Sequence, residues 1–176
     1  MLYNIQKQDV ASKTGTPKYR IYLAHFKDVD VENFPTPTDA TISATILKTG
    51  KKFIYLDATS ASIKPNVQPG ESPSNGKILL TPFIEGVSKK TLAWIYANAG
   101  EDVVCVWERC SDKQKFIAGS ACSGGLKLKY SAIGPNDAGI EGIALSMEGG
   151  ECPEPFYFYE GPLEVEADEV ETPPAG

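Results

Sequence analysis

This chain has 176 residues, 41% apolar and 23% charged, with 16 Gly, 13 Pro and a formal net charge of −6. Such values describe a globular domain long enough to bury a core without metal or disulfide staples. Six of the 23 acids fall in residues 160–176 with no base among them, so the rest balances its 17 Lys and Arg, and no basic patch suited to gripping nucleic acid stands out.

The opening stretch 1–17 lacks the apolar h-region of a secretory signal. It predicts an N-terminal arm on a chain made and folded in the cytosol, where thiols stay reduced. No apolar run approaches the ~18–20 residues that cross a bilayer, so no membrane span is expected. Residues 18–26 alternate Tyr19, Ile21 and Leu23 against Tyr22, Ala24 and Phe26, with apolar side chains on both sides. That pattern predicts a strand buried on both faces. Residues 34–39 read as a loop. Residues 41–47 place Ile42, Ala44 and Ile46 on one face and Thr41, Ser43 and Thr45 on the other, a half-buried strand. Residues 48–52 are a turn, and 53–62 a strand rich in aromatic and β-branched residues.

Residues 64–76 hold three Pro and two Gly. They read as a long polar loop with no core of its own. Residues 77–86 return to strand, with Pro82 at an edge or a bend. One helix follows at about 88–99. Ser88 is its N-cap, and Val87 and Leu92 form a hydrophobic staple. Leu92, Ile95, Tyr96 and Ala99 line its apolar face, Gly100 ends it, and Trp94 falls off that stripe. Strand 101–110 points Val103, Cys105 and Trp107 one way and Val104 and Val106 the other. A turn at 111–114 returns it as 115–122. Pairing Cys110 with Lys115 would set Cys105 opposite Ser120 and Cys122 opposite Val103. Residues 124–132 alternate Leu126, Leu128 and Tyr130 against Lys127 and Lys129, 133–139 read as a loop, and 142–149 as a strand. Residues 151–162 hold four consecutive aromatics. The sum is mainly β: an antiparallel β-sandwich or barrel of about eight strands over 18–162, with one flanking helix. The acidic, Pro-ended stretch 163–176 reads as disordered.

The side chains suited to chemistry are scattered. The cysteines Cys105, Cys110, Cys122 and Cys152 are separated by four, eleven and twenty-nine residues, without the paired Cys-x-x-Cys of structural zinc or redox motifs. The only histidine, His25, lies in an apolar strand, which suits a core residue better than a base for a cysteine nucleophile. No phosphate-binding glycine loop is present. Asp57, Glu85 and Glu108 are acids in apolar surroundings, a thin basis for a hydrolase, and strand ends account for them. The run Phe156–Tyr159 suits a core strand or an oligomer contact, and secondarily a stacking platform for sugars or bases. No catalytic, cofactor-binding or metal-ligating residue is predicted, and no cofactor.

The order of the pieces resembles the tail tube proteins of long-tailed bacteriophages. The stretch LLTPFIEGVSKKTLAWIYANAGEDVVCVWERCSDKQKFIAG (79–119) carries it, running strand, capped helix, strand and hairpin. Flanking it, IYLAHFKDVDVENFPTP (21–37) and IGPNDAGIEGIALSMEGG (133–150) are similar to tube proteins of phages or prophages from gut bacteria. The resemblance implies a non-enzymatic structural virion protein of the tail. Its subunits would close into rings, six to a ring, and stack into a conduit for genome delivery. Implied partners are copies of itself, other tail proteins such as the tape measure, and viral DNA passing the lumen without specific binding. Inner tubes of contractile injection machines share this fold. The alternative is a β-sandwich that binds a glycan or a cell-surface partner through its aromatic run and long loops.

Overall fold

The computed structural model describes residues 2–5, 19–59, 62–109 and 112–168. The predicted arm 1–17 lies outside them except for 2–5, as do Cys110 and the last part of the tail. The elements are β1 (Tyr19–His25), β2 (Thr41–Ile42), β3 (Ile54–Ala58), β4 (Asn66–Pro69), β5 (Gly76–Leu80), β6 (Phe83–Glu85), α1 (Lys89–Asn98), β7 (Asp102–Glu108), β8 (Lys115–Ala118), β9 (Leu126–Pro135), β10 (Glu141–Glu148) and β11 (Phe156–Tyr159). The fold is mainly β with one helix, as expected. Among the described residues the strands number eleven rather than about eight, and one pair, β11 with β2, is parallel.

β7 is the hub, and the sheet forks at it. β1 occupies one edge of β7, from Ile21 opposite Trp107 to His25 opposite Val103. The other edge is shared, because β9 pairs with Asp102–Val103 while β8 pairs with Cys105–Glu108. One branch continues through β8 to β11 and β2. The other runs from β9 to β10, and β10 then carries both β6 and β5 on its far edge. β3, β1, β7, β9, β10 and β6 close a circuit, completed where the Thr59 amide donates to the Phe83 carbonyl at 2.8 Å. Its interior holds Ile21, Leu23, Ile54, Leu56, Val103, Cys105, Ile143 and Leu145.

The alternation in β1 and β7 explains a second core. Side chains of opposite parity point to opposite faces of a strand. Val104 and Val106 therefore turn away from the barrel and pack with Ala24, Ile117, Tyr157 and Tyr159 under the segment that carries Val29, Ile42, Ile46 and Leu47. At about 25 cal/mol per Å² of apolar area removed from water, both faces of β7 contribute to holding the chain together. The both-faces reading of 18–26 is met at Ile21, Leu23 and Ala24.

The helix is capped as expected. Ser88 Oγ accepts from the Thr91 amide at 3.1 Å, Thr91 Oγ1 accepts from the Ser88 amide at 2.9 Å, and Gly100 adopts φ 91°. Its buried face differs from the predicted stripe. Thr91, Trp94, Ile95 and Asn98 are buried, while Tyr96 and Ala99 are exposed. Trp94 wins the inward position because its indole Nε1 donates to the Tyr3 carbonyl at 2.9 Å, which satisfies the one polar atom that its burial strands. Tyr3, in a stretch without a strand pattern, supplies that second surface.

Four further expectations are corrected. The hairpin β7–β8 pairs Glu108 with Lys115 and Cys105 with Ala118, not Cys110 with Lys115. The Arg109 amide donates to the Gln114 carbonyl at 2.8 Å, and Lys113 takes the left-handed φ of 60°, so the connection is longer than a tight turn. Residues 41–47 are strand only at Thr41–Ile42, with a single bridge from Leu47 to Val29; Ile42 and Ile46 are buried but Ala44 is exposed, because the chain leaves the strand after Ile42. Residues 64–76 are not a bare loop: Asn66–Pro69 pairs with Gly76–Leu79 as a hairpin. All four β4 residues are exposed, so backbone bonds alone hold the strand, and a hydropathy pattern could not reveal it. Residues 133–135, read as loop, extend β9.

Pro82 makes the predicted bend. It separates β5 from β6, yet both pair with β10. The segment 163–168 of the tail, read as disordered, lies on the body instead. The Phe53 amide donates to the Glu164 carbonyl at 2.9 Å and the Glu166 amide to the Phe53 carbonyl at 2.8 Å. Residues 169–176 are outside the described residues.

Candidate functional site

One uncovered apolar element is the distal half of β9. β7 pairs with β9 only as far as Lys127, and Leu128 exchanges bonds with Gly100 and Glu101. From Lys129 to Pro135 the outer edge of β9 has no backbone partner among the described residues. Directly opposed residues of an antiparallel pair share a face. Tyr130 opposes buried Leu145, and Ile133 opposes buried Ile143, yet Tyr130 is 46% exposed and Ile133 38%. A bulge at Ser131, between the pairs Ala144–Ala132 and Leu145–Tyr130, keeps both on that face despite their odd spacing. The alternation Leu126, Leu128, Tyr130 is thus right in direction, but cover stops after Leu128.

The tip of this hairpin is ordered by Asn136, whose side-chain oxygen accepts from the amides of Ala138 at 3.0 Å and Ile140 at 2.9 Å. Ile140 beyond it is 41% exposed. On the inner side, Gly142 lets β10 and β6 approach: a Cβ there would stand 2.2 Å from the Ile84 carbonyl oxygen. Sequence reasoning missed this element because Gly134, Pro135 and Gly139 are turn residues. The signal available was the pair Ile133 and Ile140 flanking an Asn-Asp tip.

A second open edge belongs to β4. The array β9–β10–β5–β4 begins with the free stretch of β9 and ends with β4, whose outer edge is likewise unpaired among the described residues. The two open edges therefore lie at opposite ends of this strand order but offset along it, because β5 pairs β10 opposite Lys127 and Leu128 while the free stretch of β9 lies across β10 from β6. Edges of this kind offer unpaired N–H and C=O groups in a row and invite strand addition.

A third feature is aromatic. The run Phe156–Tyr159 divides by parity: Tyr157 and Tyr159 are buried, while Phe156 and Phe158 are 39% and 36% exposed. Tyr157 donates to Glu154 Oε2 at 2.5 Å and Tyr159 to the Pro162 carbonyl at 2.6 Å. Burial pushes the Tyr159 phenol up to about 12, and burial with the Glu154 bond raises Tyr157 further. The two phenylalanines continue a cluster in which Trp107 stacks on Phe116 at 5.7 Å and Phe116 meets Phe158 at 4.9 Å, with the Arg109 guanidinium 5.2 Å from the Phe116 ring centre.

The other singled-out residues are not brought together. Asp57 is buried and receives Arg20 Nε at 2.8 Å, and Arg20 lies 4.0 Å above the Tyr55 ring. Glu85 accepts from Thr59 Oγ1 at 3.1 Å, and Glu108 faces Lys113 Nζ at 3.8 Å. His25 is buried with its Nδ1 3.9 Å from Glu101 Oε2; burial, then Lys27, hold it below the usual imidazole range against the pull of Glu101. Cys105 is sealed in the barrel, away from the turn that carries exposed Cys122, and burial raises its thiol. Among the described residues, no three His, Cys, Asp or Glu side chains are grouped to hold a metal ion. No described helix is long and apolar enough to cross a membrane.

Comparison with family models, curated proteins and solved structures found no match.

Proposed function

We propose that this protein is a structural subunit that assembles with copies of itself, edge to edge, into rings that stack as the tube of a phage tail. The observation that carries the reading is the pair of open edges at opposite ends of the strand order β9–β10–β5–β4. Two different edges that complement each other make a head-to-tail contact, and such contacts close into rings or run on as filaments. Tyr130 and Ile133 would find in a neighbour the cover that the monomer leaves out, at about 25 cal/mol per Å² buried. Ring closure removes exposed edges, as it does in a barrel. A body with balanced charge and an acid-rich end suits the passage of DNA without adhesion. The resemblance across 79–119 points the same way, and it supplies the expectations of six subunits to a ring, a tape-measure partner and a virion location. Negative-stain electron microscopy of the purified chain over a concentration series tests the proposal. Rings or tubes are expected; a monomer at every concentration refutes it.

A second reading rests on Phe156 and Phe158. Two half-exposed rings side by side on a strand, backed by Phe116 and Trp107, suit stacking against a sugar face. This reading makes the protein a binding module, and a glycan array distinguishes it from the first.

A further inference from the structure

The two open edges differ in the groups they present, and the bonds on their covered sides reveal which. In an antiparallel ladder the amide and carbonyl of a residue point the same way, and successive residues alternate. Gly76 exchanges bonds with Cys152 at 2.9 and 3.0 Å, and the Gly149 amide donates to the Ile78 carbonyl at 2.9 Å. Gly76 and Ile78 therefore face away from β4, and their partners Pro69 and Val67 turn their own backbone groups outward. Across the array, the Leu145 amide donates to the Pro82 carbonyl at 2.9 Å, and the Glu141 carbonyl accepts from the Gly86 amide at 2.6 Å. Leu145, Ile143 and Glu141 thus face away from β9, and their partners Tyr130, Ile133 and Pro135 point outward from it. Proline has no N–H, so Pro69 and Pro135 blunt the two edges. The outer edge of β4 keeps the Val67 amide and the carbonyls of Val67 and Pro69. That of β9 keeps the amides of Tyr130 and Ile133 and the carbonyls of all three outward residues. Val67 opposes buried Ile78, so it lies on the core-facing side of its strand, as Tyr130 and Ile133 do on theirs, and it is 40% exposed.

We propose that β4 of a second copy adds to the free edge of β9 in one register, with Val67 opposite Ile133 and Pro69 opposite Tyr130. The inference rests on the edge-to-edge reading above and fixes how the copies meet. Neighbouring strands alternate in direction along β9–β10–β5–β4. Copies related by rotation therefore bring β4 against β9 antiparallel. The Ile133 amide then donates to the Val67 carbonyl, the Val67 amide to the Ile133 carbonyl, and the Tyr130 amide to the Pro69 carbonyl. Opposed residues share a face, so Val67 covers Ile133 and the Pro69 ring lies on Tyr130. Neighbouring registers lose contacts. Sliding by two residues one way sets Pro69 opposite Leu128, whose amide and carbonyl are held by Glu101 and Gly100. Sliding by two the other way sets the Val67 carbonyl opposite Pro135, which has no donor. A slip of one opposes Ile133 with Gln68, whose backbone groups point to Lys77 of β5. Within one copy Asn66 lies level with Lys127 across β5 and β10, short of the stretch that β4 meets in the neighbour. Successive copies therefore step along the strands, and closing a sheet on itself requires a stagger of this kind.

Full-length chains with paired cysteines, in a Cys122→Ser background, are assembled, oxidised with diamide and resolved on a denaturing gel without reductant, beside the same background lacking the pair. Opposed residues of a bonded antiparallel pair stand about 5.5 Å apart at Cα, within disulfide reach. Val67→Cys with Ile133→Cys should give a ladder of covalent multimers that dithiothreitol reverses. Val67→Cys with Tyr130→Cys, which is off register, should cross-link about tenfold more slowly or less, because Cα atoms beyond about 7 Å do not bridge without backbone movement. A second variant uses charge in place of thiols. Val67→Lys alone should abolish rings in negative stain, and Val67→Lys with Ile133→Glu should restore them, since opposite charges pair across strands. An off-register pair that links as fast, no ladder from a chain whose parent forms rings, or a charge pair that restores nothing would each overturn the register while leaving assembly itself standing. A parent chain that stays monomeric at every concentration would overturn both.

Discussion

The Tyr55 hydroxyl donates a 2.5 Å hydrogen bond to Asp168 Oδ1, across 113 positions of sequence. The same carboxylate oxygen lies 3.4 Å from Asn4 Nδ2, and Asn4 Oδ1 accepts from the Tyr55 amide at 2.8 Å. Both ends of the described chain thus meet on the outer edge of β3. Residues 164–166 cover that edge at Phe53, Ile5 covers it between Tyr55 and Asp57, and Phe83 takes it at Thr59.

That arrangement makes the start of the acidic tail a structural strap. Asp168→Ala should destabilise the fold by about 1–2 kcal/mol, the cost of removing a charged acceptor from a buried phenol. Truncation after Pro162 should cost more, because it also uncovers the β3 edge at Phe53. Urea unfolding of the three proteins checks the order, and a truncated chain as stable as the parent would show that the strap contributes nothing.

Assembly through open edges makes a separable prediction. Ile133→Lys changes a half-exposed side chain, so the monomer should lose no more than about 0.5 kcal/mol. A charge beside an open strand edge blocks strand addition, so rings should disappear. Val67→Lys on β4 should do the same from the opposite edge. Sedimentation velocity measures assembly and thermal melting measures the fold; rings that survive both changes would place the contact elsewhere.

His25 sets an acid limb to stability. Its imidazole is held below the ordinary 6.5, first by burial and then by Lys27, with Glu101 and Asp28 opposing. Between the folded value and 6.5 the unfolded chain binds more protons, so stability is full above 6.5 and falls as pH drops through the folded value. His25→Gln should flatten that limb. Melting temperature across pH 4.5 to 7.5, a range of about two units below and one above the imidazole's ordinary value, shows the difference; parallel curves for the two proteins would remove His25 from the account.

The aromatic run predicts two distinct phenotypes. Tyr157→Ala should cost about 3–5 kcal/mol, as a large aromatic leaves a core. Phe156→Ala with Phe158→Ala should leave the melting temperature nearly unchanged, yet abolish glycan retention if the binding-module reading holds. Retention unaffected by the double change, measured on an array, would end that reading.

The sequence by itself determined what short-range pattern controls. The N-cap at Ser88, the stop at Gly100, the two-sided burial of β1 and β7 and the bend at Pro82 follow from side-chain parity, turn chemistry and missing donors, all local properties. Tertiary structure decided what depends on a distant partner. Trp94 turns inward because the Tyr3 carbonyl waits for its indole. Asn66–Pro69 is a strand because the backbone of β5 offers bonds that no hydropathy pattern records. Tyr130 is on the core-facing side, as alternation predicts, and the bulge at Ser131 brings Ile133 to the same side, but β7 gives its remaining edge to β8 and leaves both uncovered. Exposure and pairing are relations between separated segments, and only the closed fold assigns them.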